Sequence, residues 1–377
     1  MKEYQFAYGH GSVTVPLDEG SVLAVLHGND APAMQDIRAG LLESLAHPIG
    51  SKPLCEEIPA GASVALVVSD MSRFWMRQDL VIPHLVEYLH TACHVAYEKL
   101  TIVVANGTHT GGDEQELRTL VTSNVFDKVR VENHDCEAKD LVYLGTTAHD
   151  TPVWLNKTVA TADFVVCLGA CTHHIMAGFG GGRKSILPGI CNAATVNENH
   201  SYKAVSNPHA AAGVLEGNPI HEDMLCAAKA VHVQFILNVA LDAQKKIIAA
   251  WAGDLEKAHA EGVKFVRSLA QCPVVEGDIV VTSNGGYPLD QNLYQSPKAV
   301  ATAEACCREG GVIIMCCSCA DGMGGSNFER LITMGTVDEI DAYLSKIPPK
   351  ESAQLLAAVR LQDLCGNDAY LEVRRMP

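Results

Sequence analysis

The amino-acid sequence predicts an α/β protein with two Rossmann-like domains built on parallel sheets. Short apolar runs recur along the chain, and segments of helical length separate several of them. Strands that are apolar throughout are typical of parallel sheets covered by helices on both faces. A length of 377 residues is sufficient for two domains with separate cores.

The elements of the first domain follow from local patterns. Residues 4–8 and 12–16 alternate apolar and polar side chains around two glycines, which predicts a β-hairpin. Buried strands are expected at residues 63–68, 100–105, 129–133, 163–168 and 234–241. Helices are expected at residues 80–97 and 113–122. We assign residues 1–270 to this N-terminal domain.

A smaller C-terminal α/β domain is expected at residues 271–348. Its predicted strands are residues 278–282 and 311–317, the second of them buried. Its predicted helices are residues 296–308, 326–331 and 337–345. Residues 351–364 also have a helical pattern, so residues 349–377 would form a C-terminal helical segment that packs back on the first domain.

Composition limits the classes of partner. The formal net charge of −16 and the pI near 5.4 argue against nucleic acid, because phosphate backbones require clustered Lys and Arg. No stretch is apolar over the roughly 18–20 residues that a membrane helix needs. The N-terminus lacks the apolar core of a signal peptide, so we interpret the 14 cysteines as reduced thiols of a cytoplasmic protein.

Polar loops follow the predicted strands of the first domain. Asp70 and Arg73 follow one strand, His109 follows the next, and His173 and His174 follow a third. In an open parallel sheet, ligands bind beyond the carboxyl ends of the strands. We therefore expect these loops to share one edge of the sheet and to line the site.

A glycine run leads from these histidines to a lysine. Backbone N–H groups of Gly180, Gly181 and Gly182 would approach an anion, to which Lys184 would add a positive charge. The run is similar to a Walker A loop, but Arg183 stands where that loop requires glycine. A nucleotide-phosphate transferase is therefore a minor alternative. A flexible turn with solvated Arg183 and Lys184 is another.

Most of the 16 histidines are expected to be surface or core residues. Those without recognisable chemical neighbours are His47, His84, His90, His94, His149, His232 and His259. Four others lie in or just after the strand-end loops: His109, His173, His174 and His200. Imidazole in such a place suits proton transfer or metal ligation.

The cysteines give weaker evidence for a metal. Cys316, Cys317 and Cys319 are close enough in sequence to bind one, but no second Cys pair completes a zinc site. Packing at the end of a buried strand is the favoured interpretation. Cys306 and Cys307 are predicted to lie on a helix and to serve packing as well.

Together these motifs resemble those of the nickel-pincer-nucleotide-dependent 2-hydroxyacid racemases, the lactate racemase-like family. The motifs that carry the resemblance are Asp70-Met-Ser-Arg73, Gly107-Thr-His109, the run from His174 to Gly189, His200, and Tyr294-Gln295-Ser-Pro-Lys298. They occur in the family's order and span most of the chain, so the match is specific.

The resemblance implies a cofactor. In this family, nickel is held by pyridinium-3,5-bisthiocarboxylic acid mononucleotide, and sulfur, carbon and imidazole donors suit Ni(II) in a planar arrangement. Lys184 would form the covalent tether, and His200 would supply the remaining nickel ligand. Residues 180–182 would approach the nucleotide phosphate. Cofactor-synthesis proteins would be needed for maturation.

The resemblance also implies a reaction. A small 2-hydroxy acid would be racemised or epimerised by reversible hydride transfer, with His109 and His174 as general acid/bases on its two sides. Positive charge and hydrogen bonds for the substrate carboxylate and oxyanion would come from Arg73, Gln295 and Lys298, in a cleft between the domains.

Some positions leave alternatives open. Asp70 would orient either Arg73 or a histidine. The family often has arginine at the position of Thr110 and proline at that of Phe74, which suggests a substrate other than lactate. Whether His173 has a role is open. A non-catalytic protein that binds the pincer nucleotide is the remaining alternative, although such a protein would need no acid/base or carboxylate-binding residues.

Overall fold

The computed structural model describes residues 1–352. The first seven strands along the chain are β1 (Lys2–Tyr8), β2 (Gly11–Leu17), β3 (Val64–Ser69), β4 (Leu100–Ala105), β5 (Arg130–Asn133), β6 (Val142–Thr146) and β7 (Pro152–Leu155). The next seven are β8 (Phe164–Ala170), β9 (His173–His174), β10 (Gly178–Phe179), β11 (Phe235–Leu241), β12 (Ile247–Gly253), β13 (Gly277–Ser283) and β14 (Cys307–Cys316).

The first seven α-helices are α1 (Ile37–Ala46), α2 (Leu54–Glu57), α3 (Gln78–Thr91), α4 (Glu114–Val121), α5 (Ser123–Phe126), α6 (Lys157–Ala160) and α7 (Ala193–Asn199). The others in residues 1–352 are α8 (Tyr202–Val205), α9 (Pro219–Ala230), α10 (Lys257–Ala270), α11 (Pro297–Glu304), α12 (Ser326–Ile332), α13 (Val337–Leu344) and α14 (Pro349–Ser352). Short 3-10 helices are Glu19–Ser21, Met71–Met76, Tyr97–Lys99, Gly182–Ser185 and Leu293–Gln295. Most of the predicted helix at residues 351–364 lies outside the described residues.

Contacts divide the chain into two compact units. The larger contains Gly28–His200 and Ala204–Gln271. The smaller contains Met1–His27, Ser201–Lys203 and the described residues from Cys272 onward. No helix in the described part of the chain is long and apolar enough to cross a membrane.

The larger unit is built on a six-stranded sheet in the order β12-β11-β8-β3-β4-β5. Within this sheet, the five strands β11, β8, β3, β4 and β5 are parallel to one another. Strands β3 and β8 are buried along their whole length, as expected of a sheet covered on both faces. The α/β class with a mostly parallel sheet is therefore confirmed. The edge strand β12, which runs antiparallel to β11, was not predicted.

Helices cover this sheet with apolar side chains. Leu41 of α1, Leu85 of α3 and Leu117 of α4 belong to one buried cluster with Leu66 and Ile102 of the sheet. Helix α4 begins at a capping box, because the Asp113 carboxylate accepts the N–H of Glu116. Helix α3 ends at Thr91, earlier than predicted, and His94 just beyond it has a left-handed backbone with φ 56°.

The smaller unit contains the parallel pair β13–β14 and the antiparallel hairpin β1–β2. The N–H of Gly9, at the tip of the hairpin, donates to Asp290 Oδ2 at 2.7 Å. The strand predicted at residues 311–317 forms part of β14, but the prediction that it is buried is wrong, because Val312 and Ile314 are 54% and 48% exposed.

A second prediction, that Cys306 and Cys307 lie on a helix, is also wrong. Helix α11 ends at Glu304, Cys306 lies in a turn, and Cys307 begins β14, so these two cysteines do not lie on a helix. The N–H of Gly277 donates to the carbonyl of Cys306 at 2.9 Å, which ties this turn to β13. The prediction failed because the apolar residues before Cys306 have a helical pattern and no residue in the sequence indicates that the helix ends before β14 begins.

Candidate active site

The polar loops after three neighbouring strands lie at one edge of the larger unit's sheet. Strand β3 pairs in parallel with β4 on one side and with β8 on the other, so their carboxyl ends meet. The N–H of Gly107, after β4, donates to the carbonyl of Gly189 at 2.8 Å. The N–H of Gly180 donates to the carbonyl of Thr172, after β8, at 2.7 Å. The first bond joins the loop after β4 to the segment that follows Lys184, and the second joins the glycine run to the loop after β8.

Asp70 brings together two of the predicted catalytic side chains. Its Oδ2 lies 2.6 Å from His109 Nδ1, and its Oδ1 accepts from Arg73 Nη1 at 2.9 Å. Ser72 Oγ donates to the same Oδ1 at 2.8 Å. The sequence left open whether Asp70 orients Arg73 or a histidine, and in the structure it contacts both.

The surroundings of Asp70 keep its carboxyl group ionised. Burial alone would raise the pKa of Asp70, which is 5% exposed. The hydrogen bond with His109 and the charge of Arg73 outweigh burial, so this pKa lies below its ordinary value. A carboxylate opposite Nδ1 means that Nδ1 of His109 carries the ring proton, which leaves the Nε2 lone pair available. The His109 side chain is 51% exposed, so this nitrogen can reach a ligand.

A cavity of about 330 Å³ lies beside the Asp70–His109 pair. Its polar lining includes Asp70, Ser72, Asn106, His109 and Thr110, and its apolar lining includes Val104, Leu117 and Leu120. Pockets for small organic ligands begin at roughly this size and usually combine apolar walls with a few polar groups. The cavity is therefore large enough for a small organic acid.

The two adjacent histidines after β8 have different environments. His174 pairs with Gly178 in the short β9–β10 hairpin, and its Nδ1 accepts the N–H groups of Met176 at 3.3 Å and Ala177 at 3.1 Å. His173 is exposed, and its ring packs against Phe179 with centroids 4.6 Å apart. Two backbone bonds thus hold the His174 ring, whereas His173 makes an apolar contact.

The glycines of the run allow the loop to pack closely. A Cβ at Gly182 would lie 2.7 Å from Ile236 Cγ2, and one at Gly180 would lie 2.9 Å from the carbonyl oxygen of Ala170. The N–H of Gly182 donates to Asn238 Oδ1 at 2.8 Å, and that of Gly180 is also bonded. These two N–H groups therefore already have protein acceptors, and the contact of residues 180–182 with a nucleotide phosphate stays a prediction.

Arg183, expected to be solvated in the flexible-turn interpretation, is 2% exposed. Its Nε donates to His221 Nδ1 at 2.6 Å and its Nη1 to His259 Nε2 at 2.8 Å. Its Nη2 donates to the carbonyls of Ala177 at 3.1 Å and Phe179 at 2.9 Å. No carboxylate of the described residues pairs with it, and burial lowers its pKa to about 10. The buried Arg183 side chain therefore holds the loop in place, and the interpretation of this segment as a flexible turn with a solvated Arg183 is wrong.

The two histidines that accept from Arg183 are neutral. Burial, followed by the charge of Arg183, lowers the pKa of both His221 and His259 to about 3. His259 Nε2 also lies 2.8 Å from the Gly180 carbonyl, but it cannot donate there while it accepts from a guanidinium that keeps its protons. The prediction that His259 has no chemical neighbours is wrong. His221 was missed, because neither histidine lies near Arg183 in sequence.

Lys184 and His200 are neighbours in the structure. Lys184 is half-buried between buried residues. Part of His200 reaches the surface, but its Nδ1 is enclosed and has no hydrogen-bond partner within residues 1–352. Burial, helped by the positive charge of Lys184, lowers the pKa of His200 to about 4. His200 is therefore neutral near pH 7, as a metal ligand must be.

The side chains in the described part of the chain do not form a metal site by themselves. Within residues 1–352 no group of three or more His, Cys, Asp or Glu side chains could hold a metal ion. Cys317 Sγ lies 3.2 Å from Cys319 Sγ and 3.0 Å from Ser296 Oγ. Burial first, and then the contact with Cys317, raises the pKa of the Cys319 thiol to about 12, so it is protonated. A metal at His200 would need further donors from a bound group.

The smaller unit brings together its own two predicted residues. Lys298 Nζ donates to Gln295 Oε1 at 2.5 Å. Asn284 Nδ2 donates to the carbonyl of Gln295 at 3.1 Å, which fixes the short helix Leu293–Gln295 relative to β13. Lys298 lies on the first turn of α11 and is exposed. The pair can therefore present an amide and an ammonium group to a ligand.

The chain matches two described protein families. Residues 8–213 match the lactate racemase N-terminal domain, and residues 272–355 match the lactate racemase C-terminal domain. Lactate racemase from Thermoanaerobacterium thermosaccharolyticum is 35% identical over 372 residues, which cover 95% of this chain and 86% of that protein. Lactate racemase from Lactiplantibacillus plantarum is 36% identical over 327 residues, which cover 84% and 76% of the two chains.

Solved structures agree with these matches. The structure of the lactate racemase apoprotein from T. thermosaccharolyticum superposes with a TM-score of 0.90 at 33% identity and covers 96% of this chain and 86% of that chain. A Thermotoga maritima protein superposes with a TM-score of 0.61 at 16% identity, covering 85% and 82% of the two chains, and supports the fold alone.

The fold and the matched relatives define an isomerase, specifically a racemase that depends on a cofactor. The chain belongs to the lactate racemase family. The resemblance inferred from the motifs is thereby confirmed.

Proposed function

We propose that this racemase interconverts the enantiomers of a small 2-hydroxy acid by reversible hydride transfer. The observation that carries the proposal is the ionised Asp70 bonded at once to His109 and Arg73, beside a cavity of about 330 Å³. This arrangement provides a proton acceptor and a cation for a carboxylate, which are the two groups that a 2-hydroxy acid requires.

The side chains of this cluster would divide the work. Arg73 is partly exposed, and its N–H groups that do not face Asp70 would bind the substrate carboxylate. His109 Nε2 would take the hydroxyl proton while the hydrogen on the adjacent carbon leaves as hydride, giving a planar 2-keto acid. Asp70 would stabilise the resulting imidazolium, much as a carboxylate orients a catalytic histidine in hydrolases. After the keto acid turns over, hydride would return to its opposite face and a proton to its oxygen, with His174 proposed as the acid/base on that side, and the other enantiomer would result.

The residues around Lys184 suit the cofactor that we propose, a nickel-pincer nucleotide. When bound, it supplies a reversible hydride acceptor. The enclosed Nδ1 of the neutral His200 offers an unused donor to nickel, and Lys184 beside it would be the point of covalent attachment. The lack of a protein-only metal cluster in residues 1–352 agrees with a metal whose other donors belong to the cofactor.

Gln295 and Lys298 would provide the remaining polar contacts to substrate, from an amide and an ammonium group that already bond to each other. Lactate is the first substrate to test, because the matched relatives are lactate racemases. The cavity and the short Thr110 side chain at its wall leave room for a larger substrate side chain.

The two alternative functions have less support. A nucleotide-phosphate transferase would use the glycine N–H groups, but those of Gly180 and Gly182 are bonded to the protein. A carrier of the cofactor would not need the Asp70–His109–Arg73 cluster.

We also propose maturation by cofactor-synthesis proteins. We propose a cytoplasmic location as well, which is supported by the free thiols of all the cysteines in residues 1–352.

The test is to express the protein together with the cofactor-synthesis proteins and to measure nickel content, intact mass and loss of optical purity across chiral 2-hydroxy acids. We expect nickel, an added mass on Lys184 and racemisation of at least one acid. Lys184→Arg should abolish the added mass while the protein stays folded. Wild-type protein with neither nickel nor added mass would overturn the proposed cofactor, and loaded protein that racemises none of the acids would overturn the proposed activity.

A further inference from the structure

We infer that Cys317 and Cys319 form a thiol-modification site, which closes to an intramolecular disulfide by exchange with a small-molecule disulfide such as oxidised glutathione. Both residues belong to the smaller unit, and neither takes part in the proposed reaction. Disulfides in cytoplasmic proteins are usually transient and often respond to oxidants. The effect of this one on substrate binding rests on the proposed function, whereas the disulfide itself does not.

The two thiols already lie close together. Cys317 Sγ is 3.2 Å from Cys319 Sγ, and a disulfide bond brings two sulfur atoms to about 2.05 Å. The chain turns between them, because Cys319 has a left-handed backbone with φ 45° and its N–H donates to the carbonyl of Asp290 at 2.9 Å. The sulfur atoms therefore need to approach by only about 1 Å.

The backbone that carries the thiols is held in place. The buried carboxylate of Asp290 accepts the N–H of Ser318, the residue between the two cysteines, at 3.1 Å. The same oxygen, Oδ2, accepts the N–H of Gly9 at 2.7 Å. Because these bonds involve the backbone of Ser318 and not the thiols, the disulfide can form by movement of the cysteine side chains alone.

The two sulfur atoms differ in reactivity. Both cysteines are partly exposed, so a small disulfide can reach them. Burial first, and then the contact with Cys317, raises the pKa of the Cys319 thiol to about 12. Cys319 is therefore protonated near neutral pH, and Cys317 attacks the oxidant first. Once the Cys317 sulfur is bonded to the oxidant it cannot carry a charge, so its contribution to the raised pKa of Cys319 is lost.

The exchange conserves atoms and electrons. The Cys317 thiolate attacks one sulfur of oxidised glutathione, the S–S bond of the oxidant breaks, and one reduced glutathione leaves. Cys319 then loses its proton, attacks Cys317 Sγ and expels the second glutathione as a thiolate. The protein dithiol is oxidised by two electrons, the oxidant is reduced by two, and the two thiol protons end on the two glutathione molecules.

The neighbouring Cys316 provides a matched control. It is the last residue of β14 and is partly exposed, as Cys317 and Cys319 are. A disulfide between adjacent residues closes a ring that is too small for an ordinary planar trans peptide. The inference therefore assigns the bond to Cys317 and Cys319 and leaves Cys316 as a thiol.

The dithiol touches the residue that lies between the two proposed substrate contacts of the smaller unit. Cys317 Sγ is 3.0 Å from Ser296 Oγ, and Ser296 is fully buried at the start of α11. Gln295 comes directly before it, and Lys298 lies on the first turn of α11. A bond to Cys319 draws the Cys317 sulfur away from Ser296. The start of α11 would then be less constrained, and its amide and ammonium groups would bind substrate less tightly.

Mass spectrometry of the full-length protein tests the disulfide. Reduced protein is treated with oxidised glutathione, alkylated with N-ethylmaleimide and digested with trypsin, which releases residues 309–330 with Cys316, Cys317 and Cys319 in one peptide. We expect its alkyl groups to fall from three in the reduced protein to one, with the loss of two hydrogens. Cys316→Ser should still form the bond, whereas Cys317→Ser and Cys319→Ser should not.

Three alkyl groups after oxidation would overturn the inference. Persistent glutathione adducts at Cys317 or Cys319 in the wild type, or a bond that requires Cys316, would overturn it as well. Each of these results is independent of whether the protein racemises anything.

Two measurements test the link to Ser296. Hydrogen exchange of the α11 amides should become faster on oxidation of the wild type and stay unchanged in Cys319→Ser. In the loaded enzyme, oxidation should raise KM by about 2- to 10-fold, the effect of about one hydrogen bond, and dithiothreitol should reverse the change. Unchanged exchange at α11, or an unchanged KM in an active oxidised enzyme, would overturn this link. An inactive wild type that forms the disulfide would contradict only the proposed function.

Discussion

At Asp70 a single buried carboxylate fixes two side chains that would act on different groups of the substrate. Its two oxygens are divided between them, so neither His109 nor Arg73 competes for the same acceptor. Both partners are themselves partly exposed, at 51% and 33% of their side chains, while Asp70 is not. The buried residue thus holds the orientation and the exposed ones contact the ligand.

We predict that Asp70→Asn lowers kcat/KM for racemisation by about 10²–10⁴-fold, because the amide can present its N–H to Nδ1 and favour the wrong tautomer of His109. Polarimetry of the loaded enzyme measures the loss, and thermal unfolding reports whether the fold survives. Asp79→Asn is the matched control, since Asp79 lies in the first turn of α3 and pairs with Arg77 at 3.0 Å. Similar losses for both variants would argue that Asp70 has no special role.

A second prediction at this scale concerns Arg183. Arg183→Lys should lower the free energy of unfolding by about 2–4 kcal/mol, because an ammonium cannot reach both histidines and both carbonyls, and buried acceptors are left unpaired. Urea unfolding measures the change. Arg267→Lys provides the control, since Arg267 is exposed and donates to the carbonyl of Gly213. It should cost less than about 1 kcal/mol.

At the scale of elements, the glycine run is shaped by packing against β11. Gly182 lies over Ile236 and donates to Asn238, two residues of that strand. The Arg183 guanidinium donates to the carbonyls of Ala177 and Phe179, next to the glycine run. The N–H of Lys184 donates to the carbonyl of Gly181 at 2.8 Å. The backbone at Lys184 is therefore held by its own bond to Gly181 and by the bonds of Gly182 and Arg183.

We predict that Gly182→Ala destabilises the protein by about 1–3 kcal/mol, because the new methyl group would lie 2.7 Å from Ile236 Cγ2 in a packed core. It should also reduce the added mass on Lys184 after co-expression. Chemical unfolding and intact-mass measurement follow the two effects. Gly325→Ala, where nothing lies within 4 Å of the new Cβ, should change neither. An unaffected Gly182→Ala protein would refute the packing argument.

The sequence predicted the elements that local patterns encode. Apolar runs identified β3, β4, β5, β8 and β11, and the rule on strand ends brought Asp70 and His109 to one edge. It could not predict the partners of Arg183, because His221 and His259 come from α9 and α10, far away in sequence. Nor could it assign tautomers, which depend on contacts made only in the folded chain.

At the scale of the whole molecule, buried neutral histidines make stability depend on pH. The folded pKa values of His200, His221 and His259 are about 4, 3 and 3, all below the ordinary value of 6.5. Below pH 6.5 the unfolded chain therefore binds protons that the folded chain excludes, and the free energy of unfolding falls as pH falls toward 4. The lowered pKa of Asp70 adds to this loss only below about pH 4.

We predict that each of these histidines contributes up to about 1.4 kcal/mol per pH unit to this loss. Urea unfolding from pH 7 to pH 5 measures it. His259→Gln keeps an acceptor for Arg183 but does not titrate, so its stability should fall less steeply with acid than that of the wild type. His47→Gln, at an exposed histidine that is 74% accessible, should leave the slope unchanged. Parallel slopes for all three proteins would contradict the prediction.

The buried Arg183 also has an evolutionary consequence. Its charge is balanced by carbonyl oxygens and two neutral imidazoles, so replacing any one of Arg183, His221 and His259 leaves a buried group without its partner. Single replacements at these positions should therefore be selected against, whereas simultaneous replacements that keep the buried groups hydrogen-bonded should be tolerated. The three residues, although scattered along the chain, are expected to be inherited as one unit together with the loop that carries Lys184.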